Sequence, residues 1–257
     1  MSSDKFLDRK KLKKLDAEIQ KTLQREGLDR KTSAEVFDKS TLFAIEKLMD
    51  DKIISAFDFP ISTGKEGNVF RAINPEKQFL AVKIYRISTS TFKHITRYIV
   101  GDPRFKSIHK NKRDIIYEWT KKEYKNLKRL KEINVKSPTP FETNKNVLVM
   151  DYLGSKEYPA PRLIDITPEK PKEIFNQIIK DISKMYKKAN LIHCDMSPFN
   201  ILIHKNTPYI IDLGQGVLKD HPNSKEFLRR DIKNIVKYFK KFKIKADEKN
   251  IYNNIIS

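Results

Sequence analysis

Near the start of the chain Leu12, Leu15, Ile19 and Leu23 recur at helical spacing between charged positions, which predicts an amphipathic helix over residues 4–25. A second helix is predicted after Ser40 as its N-cap, with Leu42, Ile45, Leu48 and Met49 on one face. From Ile61 to Tyr85 the texture changes to strands: Asn68–Ala72 and Phe79–Tyr85 flank a turn at Asn74-Pro75-Glu76-Lys77. Residues 86–113 show no clear period, and a helix carrying Trp119, Glu123, Leu127 and Leu130 follows. Val147–Met150 reads as a buried strand. Asp151-Tyr152-Leu153-Gly154 then leads into a proline-bearing connector, Tyr158-Pro159-Ala160-Pro161, which predicts a lobe boundary. Thr167 as N-cap and Pro168 as first residue open the next helix, whose stripe is Ile174, Ile178, Ile182 and Met185. Strands Ile201–His204 and Tyr209–Asp212 are joined by a turn at Lys205-Asn206-Thr207-Pro208. A final helix from about Lys225 turns Leu228, Ile232, Ile235 and Phe239 inward. No internal repeat is present.

Composition narrows the class. At 257 residues and 39% hydrophobic the chain suffices for one large domain or two modest lobes. No apolar run approaches the ~18 residues that a membrane span needs. The opening Met1–Lys11 has no apolar signal core, so a cytoplasmic rather than an exported protein is expected. The single cysteine, Cys194, excludes an intrachain disulfide. Against 33 Asp+Glu stand 53 Lys+Arg, a net charge of +20, which favours polyanionic partners such as RNA or nucleotides. Arg97, Arg104, Lys106, Lys110, Lys112 and Arg113 concentrate that charge in residues 86–113.

Four pieces carry the candidate chemistry, and their order matters more than any one of them. Ser62-Thr63-Gly64-Lys65-Glu66-Gly67-Asn68-Val69 lies between two predicted strands, and its glycines allow a backbone to approach phosphate oxygens. It is not a Walker loop, since no Gly-Lys-Ser/Thr opens a helix. In Ala81-Val82-Lys83-Ile84-Tyr85 alternation turns Lys83 away from Val82 and Ile84, where its ammonium can serve phosphate. Glu123, on the helix side of Leu127 and Leu130, is the expected partner of that ammonium, with Glu118 as rival. In His193-Cys194-Asp195-Met196-Ser197-Pro198-Phe199-Asn200, Asp195 can orient a hydroxyl or water and Asn200 can offer an oxygen to a cation. Ile210-Ile211-Asp212-Leu213-Gly214 places a carboxylate after an apolar strand. Asn200 and Asp212 thus bracket one hairpin, and two oxygen ligands suit a hard divalent ion. Each piece also has a plainer reading, as turn glycines, a snorkelling lysine, or capping Asp and Asn residues. A thiol nucleophile at Cys194 is disfavoured, because neighbours in sequence such as His193 rarely point together.

On these residues the chain resembles the RIO family of atypical protein kinases, in its type-one branch. The likeness rests on Ile61 to Phe70, Ala81-Val82-Lys83, Trp119 to Leu130, Met150 to Gly154, His193 to Leu202, Ile211 to Val217, and His221 to Asp231. It implies an α+β, two-lobed kinase-like fold: an N-terminal helical extension (1–56), an N-lobe with a small sheet and a flexible basic loop (57–152, loop 86–113), and a reduced, mainly helical C-lobe (153–257). It implies ATP with Mg²⁺ or Mn²⁺. Ser62, Gly64, Lys65, Gly67, Val69, Ala81, Lys83, Glu123, Met150, Leu202 and Ile211 would surround the nucleotide, and Asp151 and Leu153 would meet adenine through their backbones. Asp195, Asp212 and Lys83 would be catalytic, and Asn200 and Asp212 would hold the metal. The resemblance further implies Ser/Thr phosphorylation, ATPase action, an aspartyl-phosphate step on Asp212, autophosphorylation with Ser88, Ser90 and Ser107 available, and pre-ribosomal small subunits as partner. His193-x-Asp195-x-x-Pro198-x-Asn200 is also similar to small-molecule phosphotransferases of the aminoglycoside type, one alternative. A nucleotide-gated RNA-particle binding module is another.

Overall fold

The computed structural model describes residues 17, 37–64, 67–87, 95, 98 and 111–257. The helix predicted over 4–25, most of the basic stretch and its serines, and Lys65 lie outside the described residues. The chain divides into two compact units, the first including residues 1–94, 108–121 and 140–152, the second 95–107, 122–139 and 153–257.

The first unit is built on an antiparallel sheet of β1 (Ala56–Thr63), β2 (Gly67–Ile73), β3 (Phe79–Tyr85), β4 (Pro140–Asn144) and β5 (Val147–Asp151), in the order β1-β2-β3-β5-β4. Alternation sends Phe70, Ala72, Leu80, Val82, Ile84, Val147 and Val149 to one face. Helix α1 (Lys39–Asp50) covers that face with Ala44, Ile45 and Leu48, while Leu42 and Met49 pack at its margin. The N-cap is Asp38, not Ser40: its carboxylate accepts from the N–H and the hydroxyl of Thr41 at 2.8 Å. Ser40 is instead hydrogen-bonded to Tyr117 through its hydroxyl at 3.0 Å. Buried Asn146 ties helix to sheet, donating to Thr41 Oγ1 and to the Tyr85 carbonyl at 2.9 Å each.

Helix α2 (Lys112–Glu132) carries a buried stripe of Trp119, Glu123, Asn126, Leu127 and Leu130. In the second unit α3 (Pro171–Lys188) buries the predicted stripe of Ile174, Ile178, Ile182 and Met185. It begins at Pro171 rather than Pro168. Had it begun at Pro168, Pro171 would stand where the first intrahelical N–H is required, so the helix starts where a proline needs no donor. Two short pairs follow: β6 (Leu191–Ile192) with β9 (Val217–Leu218), and β7 (Ile201–His204) with β8 (Thr207–Ile210). The β7–β8 turn is tighter than predicted. Lys205 (φ 50°) and Asn206 (φ 56°) both sit in the left-handed region, the signature of a two-residue hairpin turn, so Thr207 and Pro208 already belong to the strand. Strand β8 also ends earlier, because Asp212 at φ 62° leaves the pleat. Helix α4 (Ser224–Phe239) buries Leu228, Ile232, Ile235 and Phe239. A further helix, α5 (Glu248–Ile256), escaped the hydrophobic pattern; it is capped by Asp247, which accepts from Lys249 N–H at 2.8 Å.

Candidate functional site

In the first unit the sheet face opposite α1 gathers the sequence-predicted residues. Strand register sets Val69 across from Lys83 and Lys83 across from Leu148, while Arg71, Ala81 and Met150 form the next row. Val69, Ala81, Lys83 and Met150 therefore share one face. The Lys83 ammonium lies 4.7 Å from the Tyr85 ring centre. At the β1–β2 turn Gly64 N–H donates to the Gly67 carbonyl at 3.0 Å and to Asn68 Oδ1 at 3.2 Å, and Ser62 is exposed beside it. A Cβ on Gly67 would come within 2.6 Å of the Ile84 carbonyl oxygen, so β2 and β3 close on a position only glycine fits unshifted. The Leu153 carbonyl already accepts from Ala160 N–H at 2.9 Å, and Asp151 is the last residue of β5.

The second unit assembles the His193–Asn200 loop. It leaves β6, passes Cys194 at φ 70°, and closes with a 3-10 turn at Pro198–Asn200. The Asn200 amide donates to the Asp195 carbonyl at 2.8 Å and to Asp195 Oδ2 at 2.9 Å. This orients the amide, since both bonds use Nδ2, and leaves Oδ1 as the end for a cation. The Asn200 carbonyl in turn accepts from Ile211 N–H at 3.0 Å, which fixes the residue before Asp212. His193 Nδ1 accepts from Asp195 N–H at 3.3 Å, so the proton belongs on Nε2, which donates to the Ile211 carbonyl at 2.9 Å. Histidine here is a brace rather than a base.

Beneath this loop lies a carboxylate that the sequence reading missed. Asp231 of α4 is buried and accepts from Cys194 N–H and Met196 N–H, both at 2.9 Å. Asn234 donates to the Met196 carbonyl at 3.2 Å, and Arg230 donates to that of Cys194. The left-handed Cys194 is thus clamped on both sides. The loop after Asp212 has its own anchor: Asn126 donates to the Leu213 carbonyl at 2.8 Å and to that of Gly216 at 3.2 Å. The signal for both residues was a polar side chain on a buried helical stripe, Asp231 among Phe227, Leu228, Ile232 and Ile235, and Asn126 among Trp119, Leu127 and Leu130.

Burial raises the Asp195 carboxyl above its ordinary range; His193 and the Asn200 amide act against this, and Asp212 adds to it. Burial also pushes Asp231 up to about 6, offset in part by His193, the two N–H groups and Arg230. The Cys194 thiol is buried and held protonated, chiefly by desolvation and then by Asp231, which suits a packed residue and not a nucleophile. Glu123 is buried, whereas its rival Glu118 meets Lys121 at 2.6 Å on an exposed face. Leu202 and Ile211 are half-buried on and just after the β7–β8 hairpin, and Leu202 bridges Arg162, the residue after the connector.

Among the described residues no group of three or more His, Cys, Asp or Glu gathers as a metal site. The Asn200 amide oxygen and the Asp212 carboxylate are hard oxygen donors of the kind Mg²⁺ takes in small number, leaving positions for phosphate and water. The residues fit such an ion.

A model of the RIO domain matches residues 68–251. The chain is 40% identical over 222 residues to the RIO-type serine/threonine-protein kinase Rio1 of Haloferax volcanii, covering 86% of this chain and 76% of that protein. It is 37% identical over 256 residues to the protein of the same name from Methanocaldococcus jannaschii, covering 98% and 88%. Among solved structures it is similar to the Rio2 kinase of Chaetomium thermophilum, with a TM-score of 0.65 at 21% identity over 83% of this chain and 67% of that one. The fold is the kinase-like α+β fold that the sequence resemblance implies.

Proposed function

The chain belongs to the RIO family, beside the archaeal Rio1 proteins, and on that premise we propose that it is an ATP-dependent serine/threonine protein kinase with ATPase activity. The observation that carries this reading is the Asn200 side-chain amide bridging the backbone and carboxylate of Asp195 while the Asn200 backbone carbonyl holds the residue before Asp212. One hydrogen-bonded unit so fixes an acid–base group and two oxygen ligands.

Asp195 accepts the proton of the attacking hydroxyl and orients its oxygen, its raised pKa bringing it closer to that task. Lys83 addresses the phosphates with its charge, and Glu123 holds that ammonium in its working position. Val69, Ala81, Met150, Leu202 and Ile211 would bind the base, Asp151 and Leu153 would meet it through their backbones, and Ser62, Gly64, Lys65 and Gly67 would serve the phosphates. Asn200 Oδ1 and the Asp212 carboxylate hold Mg²⁺ or Mn²⁺, which when bound neutralises charge on the phosphate oxygens. Where no hydroxyl is offered, an Asp212 oxygen attacks the γ-phosphorus, ADP leaves with the bond's electron pair, and water later releases phosphate. The polyanionic partner is the pre-ribosomal small subunit, for which the +20 charge speaks.

Asp212→Ala is expected to abolish Mg²⁺-dependent ATP turnover and any hydroxylamine-labile phosphate on the protein. Asp195→Asn is expected to slow transfer to serine about 10²–10⁴-fold. Unchanged turnover in Asp212→Ala would refute the assignment.

A further inference from the structure

Away from the catalytic loop, α3 and α5 form a groove of about 400 Å³. Its floor is aliphatic, made by Ile179, Ile251 and Ile255, and Ile256 of α5 is one of the few large apolar side chains exposed among the described residues. Its rim is basic: Lys180, Lys184, Lys187 and Lys188 all come from α3. No carboxylate lines it. On the same helix Asp181 is buried, accepts from Gln177 with both oxygens at 2.9 Å, and lies 3.9 Å from Lys184. Lys187 donates to the Asn254 carbonyl at 3.0 Å, a bond that places the ammonium without neutralising it. The lining contains neither aromatic rings on which bases could stack nor arginine forks for phosphate. An aliphatic floor under a lysine rim complements side chains that alternate between aliphatic and anionic.

We propose that this groove docks an acidic, leucine- or isoleucine-bearing peptide segment of a protein partner, with aliphatic side chains on the floor and carboxylates against the lysines. None of its residues belongs to the catalytic or nucleotide-binding set, so docking and phosphotransfer are separable.

The test is fluorescence anisotropy with the full chain and a labelled peptide of about twelve residues alternating Glu and Leu. Saturable binding is expected, weakened about tenfold or more by Lys180→Glu with Lys188→Glu, and similarly by about 0.5 M salt. Ile251→Ser, which leaves the charge intact, should weaken it too, and a peptide with Gln for Glu should bind at least about tenfold less well. ATP turnover should stay at the wild-type level in the charge-reversed variant. Equal affinity in that variant, or in Ile251→Ser, overturns the proposal. So does an oligouridylate of the same length binding more tightly than the peptide and being lost on the same charge reversal.

Discussion

Asp231 shows how one buried group sets the geometry of another residue's chemistry. Its two oxygens accept from Cys194 N–H and Met196 N–H, which flank Asp195. The carboxylate must give up water to do this, and burial lifts its pKa to about 6 from an ordinary 3.8. A folded-state pKa above the unfolded one means that the native state binds the proton more tightly. Asp231's contribution to stability is therefore full below about pH 4 and is lost as pH rises through about 6, by roughly 3 kcal/mol for a shift of that size. Urea unfolding of wild type and Asp231→Asn, compared from pH 4 to 7.5, should show the gap between them closing or reversing with rising pH by that order. Parallel profiles would remove the argument. In the role proposed for it Asp195 would work only when ionised, and its own pKa is raised, so activity is expected to run the other way. Turnover is expected to fall on acidification at a higher pH than an ordinary aspartate would give, a limb that initial-rate measurements across pH would locate.

Among the elements, α1 is the one the first unit's sheet cannot do without. Ala44, Ile45 and Leu48 close a face made by β2, β3 and β5, and full burial of one such side chain is worth about 1.5–3 kcal/mol. Leu48→Ala should cost about 2–5 kcal/mol in urea unfolding and leave kcat at permissive temperature little changed. A cost under about 0.5 kcal/mol would mean that the helix is an appendage. The stripes of α1, α3 and α4 were legible because burial and the helical period coincide there, and the His193–Asn200 and Asp212 segments because their polar residues sit at fixed spacing beside apolar strands. Caps and turns were not. Ser40, Asp38 and Thr41 all suit an N-cap, and the contacts of its hydroxyl with Tyr117 and Lys145 show where Ser40 is used. The positive φ of Lys205 could not be read, because lysine carries no signature of that conformation. Asp231 was hidden by its neighbours Arg229 and Arg230, which make it look like part of a surface charge run. Helix α5 was hidden by its position after the last strong stripe, although Asp247 before Ile251 and Ile255 marks a cap and a face.

At the scale of the molecule, the net charge of +20 exceeds what binding one nucleotide calls for. No helix among the described residues is long and apolar enough to cross a membrane, so the charge does not flank a membrane-spanning helix there. The polyphosphate surface of the proposed partner would call for it: each phosphate neutralised releases condensed counterions, so affinity falls as a power of salt concentration, by about 10³-fold or more between roughly 50 and 200 mM salt for six or more contacts. Sedimentation of the protein with small-subunit particles across that range should give a straight log–log plot of negative slope. Asp212→Ala should keep the slope, because removing one carboxylate leaves every lysine and arginine in place, and should lose any dependence of the bound fraction on added ATP. The two readouts separate attraction from gating. A salt-independent bound fraction would assign the charge to something other than RNA, and an ATP response that survives Asp212→Ala would place the switch outside the catalytic residues.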